Sequence, residues 1–217
     1  MIDRSKPPIS SRRQPQQARS TELVAAILEA ALQVLAREGA QRFTTTRVAE
    51  RAGVSVGSVY QYFPNKASIL FRLQSDEWRQ TTDLLGHILK DRAQPPLARL
   101  RALVHAFVQS ECEEADVRKA LADAAPLYRD APEAHEAKAS GRRTVAAFMR
   151  EALPGVPSAR RALAAKLVTT TLSTVGKDFS DTPRSPKEIH AYSEAMADMF
   201  CAYLKDLAVL EAAVQGH

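Results

Sequence analysis

Residues Phe43–Lys66 read F-T-T-T-R-V-A-E-R-A-G-V-S-V-G-S-V-Y-Q-Y-F-P-N-K. The stretch spells two short helices joined at a glycine. Thr44, Thr45 and Thr46 offer hydroxyls to the free amides of a helix start. Val48, Ala49 and Ala52 then form one apolar face, which Gly53 breaks. Ser55 caps the next helix, where Val59 and Phe63 stand four apart and face inward. Pro64 ends it by biasing the residue before it away from helical geometry. A helix-turn-helix unit needs a small residue where its helices pack, a glycine free to take positive φ, an apolar plug and a cap. Ala49, Gly53, Val54 and Ser55 meet those needs in order. Val56, Gly57, Ser58, Gln61 and Tyr62 are left on or near the outer side.

Helical patterning extends in both directions. Upstream, Leu23, Ile27, Ala30 and Val34 step by three and four from Thr21 to a stop at Gly39. Before Thr21, residues 1–20 carry Arg4, Lys6, Arg12, Arg13 and Arg19 against Asp3 and no apolar period, which reads as a disordered basic arm. Downstream, Asn65 caps a long helix from Lys66 to about Arg92. Further helices are expected from about Leu97 into the acidic stretch Glu111–Asp116, over Val117–Ala125, near 133–152, over Ala159–Val175 and from Pro186 to Val214. Pro95–Pro96, Pro126–Pro132, Pro154–Gly155 and residues 180–186 separate them. No segment alternates with period two, so the fold class is all-α. The expected division is an arm (1–20), a helix-turn-helix domain (21–66) and a helical regulatory and dimerisation domain (67–217).

Composition limits the function. The chain has 217 residues, 45% hydrophobic and 25% charged, with a net charge of +5. Residues 1–66 hold ten Lys/Arg against five Asp/Glu, whereas the remainder holds twenty of each. A basic first third beside a neutral body suits a polyanion-binding module on a second domain. No apolar run is long enough to span a bilayer, so no membrane partner is expected. The polar N-terminus lacks the apolar core of a secretory signal, which argues for a cytoplasmic protein. Cys112 and Cys201 read as two reduced thiols. Catalytic signatures are missing: there is no GxSxG, P-loop or GxGxxG, and His135-Glu136 fails to complete H-E-x-x-H because Ala139 stands at its end. His105 with Glu111 and Glu113 matches no recognised ligand spacing, so neither metal nor cofactor is expected.

The residues quoted resemble the TetR family of transcriptional regulators. The likeness runs over residues 19–75, about a quarter of the chain. It rests on Thr21–Gly39, Phe43, Val48-Ala49, Ala52-Gly53-Val54-Ser55, Gly57, Val59-Tyr60, Tyr62-Phe63, Lys66 and Ile69-Leu70. Tyr62 departs from it, standing where many members carry histidine. The resemblance implies that the second short helix enters the major groove of an operator. Gly57 then allows close approach, Ser55 caps the reading helix, Ser58 and Gln61 reach base edges, and Val56 meets a thymine methyl. Thr45, Thr46 and Arg47 stand at a helix N-terminus, where free amides favour a phosphate. Tyr60, Tyr62 and Lys66 are phosphate contacts by similarity, with core packing as the alternative for both tyrosines.

The resemblance further implies a homodimer through the last two long helices, with Leu167, Thr171, Val175, Tyr192, Met196, Met199, Phe200 and Tyr203 at the interface. It also implies a small-molecule effector held among Trp78, Leu85, His105, Phe107, Cys112, Tyr128, Phe148, Met149 and Thr170. The expected function is a ligand-responsive regulator, a repressor, that binds a partly palindromic operator as a dimer and is released by the effector. The effector would tilt the long helix and change the spacing of the two heads. The rival reading is an architectural, sequence-tolerant DNA binder without effector, which the neutral C-terminal two-thirds disfavours.

Overall fold

The computed structural model describes residues 18–124 and 132–215, all of them helix or short connection. The helices are α1 (Ala18–Arg42), α2 (Thr45–Ala52), α3 (Val56–Tyr62), α4 (Lys66–Lys90), α5 (Pro96–Glu113), α6 (Ala115–Ala124), α7 (Pro132–Ala152), α8 (Ser158–Ser180) and α9 (Pro186–Gln215). The fold is all-α, and no helix among the described residues is long and apolar enough to cross a membrane.

The chain forms two compact units, Met1–Trp78 with Asp116–His135, and Arg79–Ala115 with Glu136–His217. The first is larger than the stretch 21–66 marked out by sequence. Its core joins Val24, Ile27, Ala31, Val34 and Leu35 of α1 to Phe43, Val48, Val59 and Phe63, and then to Ile69, Leu70 and Leu73 of α4. Leu121 of α6, 1% exposed, closes it. The early turns of α4 and the apolar face of α6 belong here because the two short helices, α2 and α3, alone leave α1 uncovered. α1 also starts earlier than expected, at Ala18. It stays regular as far as Gly39, whose φ of 71° and ψ of 172° break it.

The second unit packs α5 against both α8 and α9. Leu100, Val104 and Val108 of α5 meet Phe148, Met149 and Leu153 from α7 and its end. Ala164, Val168 and Leu172 of α8 and Met196, Ala197, Phe200 and Leu204 of α9 complete the core. α8 runs five residues past its expected stop at Val175. The reason is Gly176, which is buried: a Cβ there would lie 2.9 Å from Cε1 of Phe107. Packing against that ring holds a residue of low helix propensity inside the helix.

α8 and α9 run antiparallel and are tied at both ends, by the Arg160–Glu211 ion pair and by the Phe179–Tyr192 stack at 3.9 Å. Arg99, 2% exposed, reaches the carbonyl of Leu89 at 2.5 Å and pairs with Glu151. It thereby satisfies one of the last carbonyls of α4.

Candidate nucleic-acid interface

The reading unit is assembled by caps. Thr44 is extended, and its hydroxyl accepts from the Arg47 amide at 3.2 Å, so Thr44 rather than its two neighbours caps α2. Gly53 is left-handed (φ 67°, ψ 29°), and its amide donates back to the carbonyls of Ala49 and Glu50. Ser55 accepts from the Ser58 amide at 3.0 Å and starts α3. Phe63, 1% exposed, leaves the helix and plugs the core. Asn65 and Ser68 then cap α4 reciprocally: Oδ1 of Asn65 accepts from the Ser68 amide at 2.9 Å, and Oγ of Ser68 accepts from the Asn65 amide at 3.4 Å. Ser68, the returning half of that box, was not singled out in the sequence. An N-cap residue followed three places later by a short polar side chain was the available signal.

Most residues proposed to touch DNA lie on the outside of this frame. Thr46, Arg47, Ser55, Gly57, Tyr60, Gln61 and Lys66 are exposed. Gly57 has ordinary helical geometry, and a Cβ there would meet only Oγ of Ser55, at 3.7 Å. Thr45 and Tyr60 share a hydroxyl hydrogen bond at 3.2 Å, which ties the first turn of α2 to α3. Oγ of Ser58 lies 2.8 Å from Oγ of Ser55, so its hydroxyl is already engaged in the free protein. Val56 and Tyr62 are half-buried and pack on the head's core, which leaves each only a partial outer surface.

The charge is less concentrated than the first-third count suggests. Within 21–66 five basic residues face four acidic ones, so most of the excess belongs to residues 1–20. The arm arginines Arg12 and Arg13 lie outside the described residues. Arg47 is paired with Glu38, and Arg51 donates to Gln33 at 2.5 Å. These side chains line a hollow of about 530 Å³ beside α1 and α2, together with Val34, Arg37 and Glu50. None of its lining residues belongs to the set expected to hold an effector.

That set is dispersed. Phe148 and Met149 are 3% and 2% exposed inside the second core, so neither lines an open pocket in this structure. Thr170 points to solvent, Trp78 packs on the first core, and Tyr128 lies outside the described residues. Leu85, Phe107 and Cys112 are half-buried around the second core. His105 faces α9, as described below. The interface set also divides. Met196 and Phe200 are buried in the chain's own core and are unavailable to a partner. Leu167 and Met199 are 48% and 51% exposed, and Thr171, Val175, Tyr192 and Tyr203 are half-buried.

Two capped short helices about a left-handed glycine, in a chain that carries a second, helical unit, define a DNA-binding helix-turn-helix regulator. The chain belongs to the TetR family. Residues 27–73 match the bacterial regulatory proteins of the tetR family, and residues 95–207 match the tetracyclin repressor-like C-terminal domain. Regulators of this family are ligand-responsive and bind DNA. A fatty acid metabolism regulator protein of Bacillus subtilis is 33% identical over 67 residues, 31% of this chain and 34% of that protein. A nucleoid occlusion factor, SlmA, of Actinobacillus pleuropneumoniae is 29% identical over 107 residues, 48% and 52% of the two chains. The matched stretches thus span a third to a half of these curated relatives. Among solved structures, a TetR-family regulator from Mesorhizobium loti aligns with a TM-score of 0.68 at 17% identity, covering 86% of this chain and 98% of that one. The fatty acid degradation regulator FadR from Bacillus halodurans aligns at 0.65 and 17%, covering 87% and 97%. FadR from Bacillus subtilis, solved with stearoyl-CoA, aligns at 0.61 and 18%, covering 82% and 97%.

Proposed function

We propose that this regulator is a cytoplasmic repressor that binds a partly palindromic operator as a homodimer and is released by a small molecule bound in its C-terminal unit. The observation that carries the DNA half is the exposed edge of α3, with Gly57 and Gln61 outward and Lys66 exposed at the start of α4. α3 enters the major groove, Ser58 and Gln61 read base edges, and Thr46, Arg47, Tyr60 and Lys66 hold phosphates. Arg47 exchanges Glu38 for phosphate, an inexpensive trade because an exposed ion pair is worth about 0–1 kcal/mol.

The dimer half is supported by apolar surface on α8 and α9. Leu163, Leu167, Met199 and Leu210 are all exposed, between 48% and 62%. Leu163 and Leu167 share one face of α8, and Tyr192, Met199, Tyr203 and Leu210 share one face of α9. Met196 and Phe200 form the inner wall behind them.

Selection of bound sequences from random duplex DNA tests the whole reading. A symmetric site should emerge, with half-sites about one helical turn or a multiple of it apart. Gln61→Ala should relax preference at one base position per half-site. Lys66→Ala should weaken all sequences alike and lower the salt slope by about one per head. The likeness to a nucleoid occlusion factor supports a second reading, an architectural DNA binder without effector. Equal competition by random DNA would favour that reading over the first.

A further inference from the structure

α5 and α9 bring together three side chains that the DNA-binding reading does not use. His105 comes from α5. His190 and Glu194 stand one turn apart on α9 and so share a face. One ligand atom from each lies within 4.8 Å of the other two. Nε2 of His105 is 2.8 Å from Oε1 of Glu194, and the two imidazole rings are 5.4 Å apart, tilted by 46°. That Nε2 is shut off from solvent yet has no aligned hydrogen-bond partner. The carboxylate sits near it without lying on the in-plane axis along which a proton or a lone pair points.

We infer that His105, His190 and Glu194 form a binding site for one divalent transition-metal ion per chain, of which zinc is the representative. Two imidazoles and one carboxylate are a donor set that zinc accepts, with water completing the tetrahedron. Bonds near 2.1 Å place tetrahedral ligands about 3.4 Å apart. Separations of up to 4.8 Å must therefore close by at most about 1.4 Å, through rotation of the exposed His190 side chain, and the 2.8 Å His105–Glu194 contact must open by about 0.6 Å. The carboxylate is already oriented. Arg101 bonds the other oxygen of Glu194 and also Asp198, so Oε1 is left to the ion while the guanidinium charge is offset by Asp198. Such outer partners fix a ligand's direction.

The site lies clear of the proposed dimer face. At 100° per residue, His190 and Glu194 stand about 140–180° around α9 from Met199 and Leu210. Solvent reaches the cluster on the side of His190, which is exposed. Both rings ligate as neutral imidazoles.

The test uses full-length, tag-free protein stripped with chelator and dialysed against zinc, with cobalt as the spectroscopic stand-in. One zinc per chain and visible bands of tetrahedral cobalt are expected. Removing a mere outer partner costs about 10–100-fold in affinity, so His190→Ala and Glu194→Gln should each cost more than tenfold. His190 is exposed, and its variant should melt as the parent does. His87→Ala, on α4, should bind as the parent. Absence of stoichiometric zinc would overturn the proposal. So would binding that survives both His190→Ala and Glu194→Gln, since the metal would then lie elsewhere.

Discussion

Gly57→Ala separates stability from recognition. Gly57 is the second residue of α3 and has no positive φ. Its would-be Cβ meets nothing nearer than Oγ of Ser55 at 3.7 Å, an ordinary van der Waals contact. A methyl there is sterically free in the unbound protein. Replacing glycine by alanine in a helix gains about 0.5–1 kcal/mol, and a position near the helix start lies at the low end. Amides of α2 and α3 should accordingly exchange about 2–5-fold more slowly in native-state hydrogen exchange. On DNA the same methyl intrudes where α3 approaches the groove. At about 1 kcal/mol of overpacking per head, a dimer loses about 2 kcal/mol, or roughly 30-fold in operator affinity. Fluorescence anisotropy on the selected operator reads that loss. Undiminished affinity would show that this edge of α3 does not face DNA. Faster exchange would show that Gly57 is kept for the helix itself, and the reasoning would fail.

Gly53→Ala should destabilise the head by about 1–2 kcal/mol through its left-handed φ alone, with Gly53→Asn recovering part of it, as urea unfolding would show. Arg99→Met strands the buried Leu89 carbonyl and should cost about 1–3 kcal/mol in thermal or urea melts. The hydrogen bond from Arg99 holds the Glu151 carboxyl below its usual range. The stability it contributes is therefore fully present above the unfolded glutamate pKa and is lost as pH falls through the lower folded value. Glu151→Gln should flatten the stability curve across that acid window in a pH series of melts. Leu167→Glu combined with Met199→Glu should yield monomers in sedimentation and weaken operator binding by about 100-fold, because the second head no longer binds from a tethered position.

The reading unit was legible because its determinants are local. A capping hydroxyl, a glycine three residues before the next helix and a terminating proline each act on the chain within a few positions. The division of α9 was not legible. The family resemblance places Met196, Met199, Phe200 and Tyr203 together at the dimer interface, and only packing within the chain decides that Met196 and Phe200 turn inward while Met199 does not. The end of α8 failed for a related reason. The expected helix ends at Val175, and the ring that keeps Gly176 helical comes from a distant segment. His105 was weighed against Glu111 and Glu113, its neighbours in sequence. Its spatial neighbours are one turn of α9, marked in the sequence only by a histidine and a glutamate four apart.

The seat of Phe107 on Gly176 also constrains how α8 can travel. Sliding by one residue would drive the side chain of Val175 or Lys177 into the ring, and a dense interior resists such intermediate positions. A whole-turn step instead offers Ser180, the small buried residue four places on. Motion of α8 along α5 would thus be notched rather than smooth, with detents one helical turn apart.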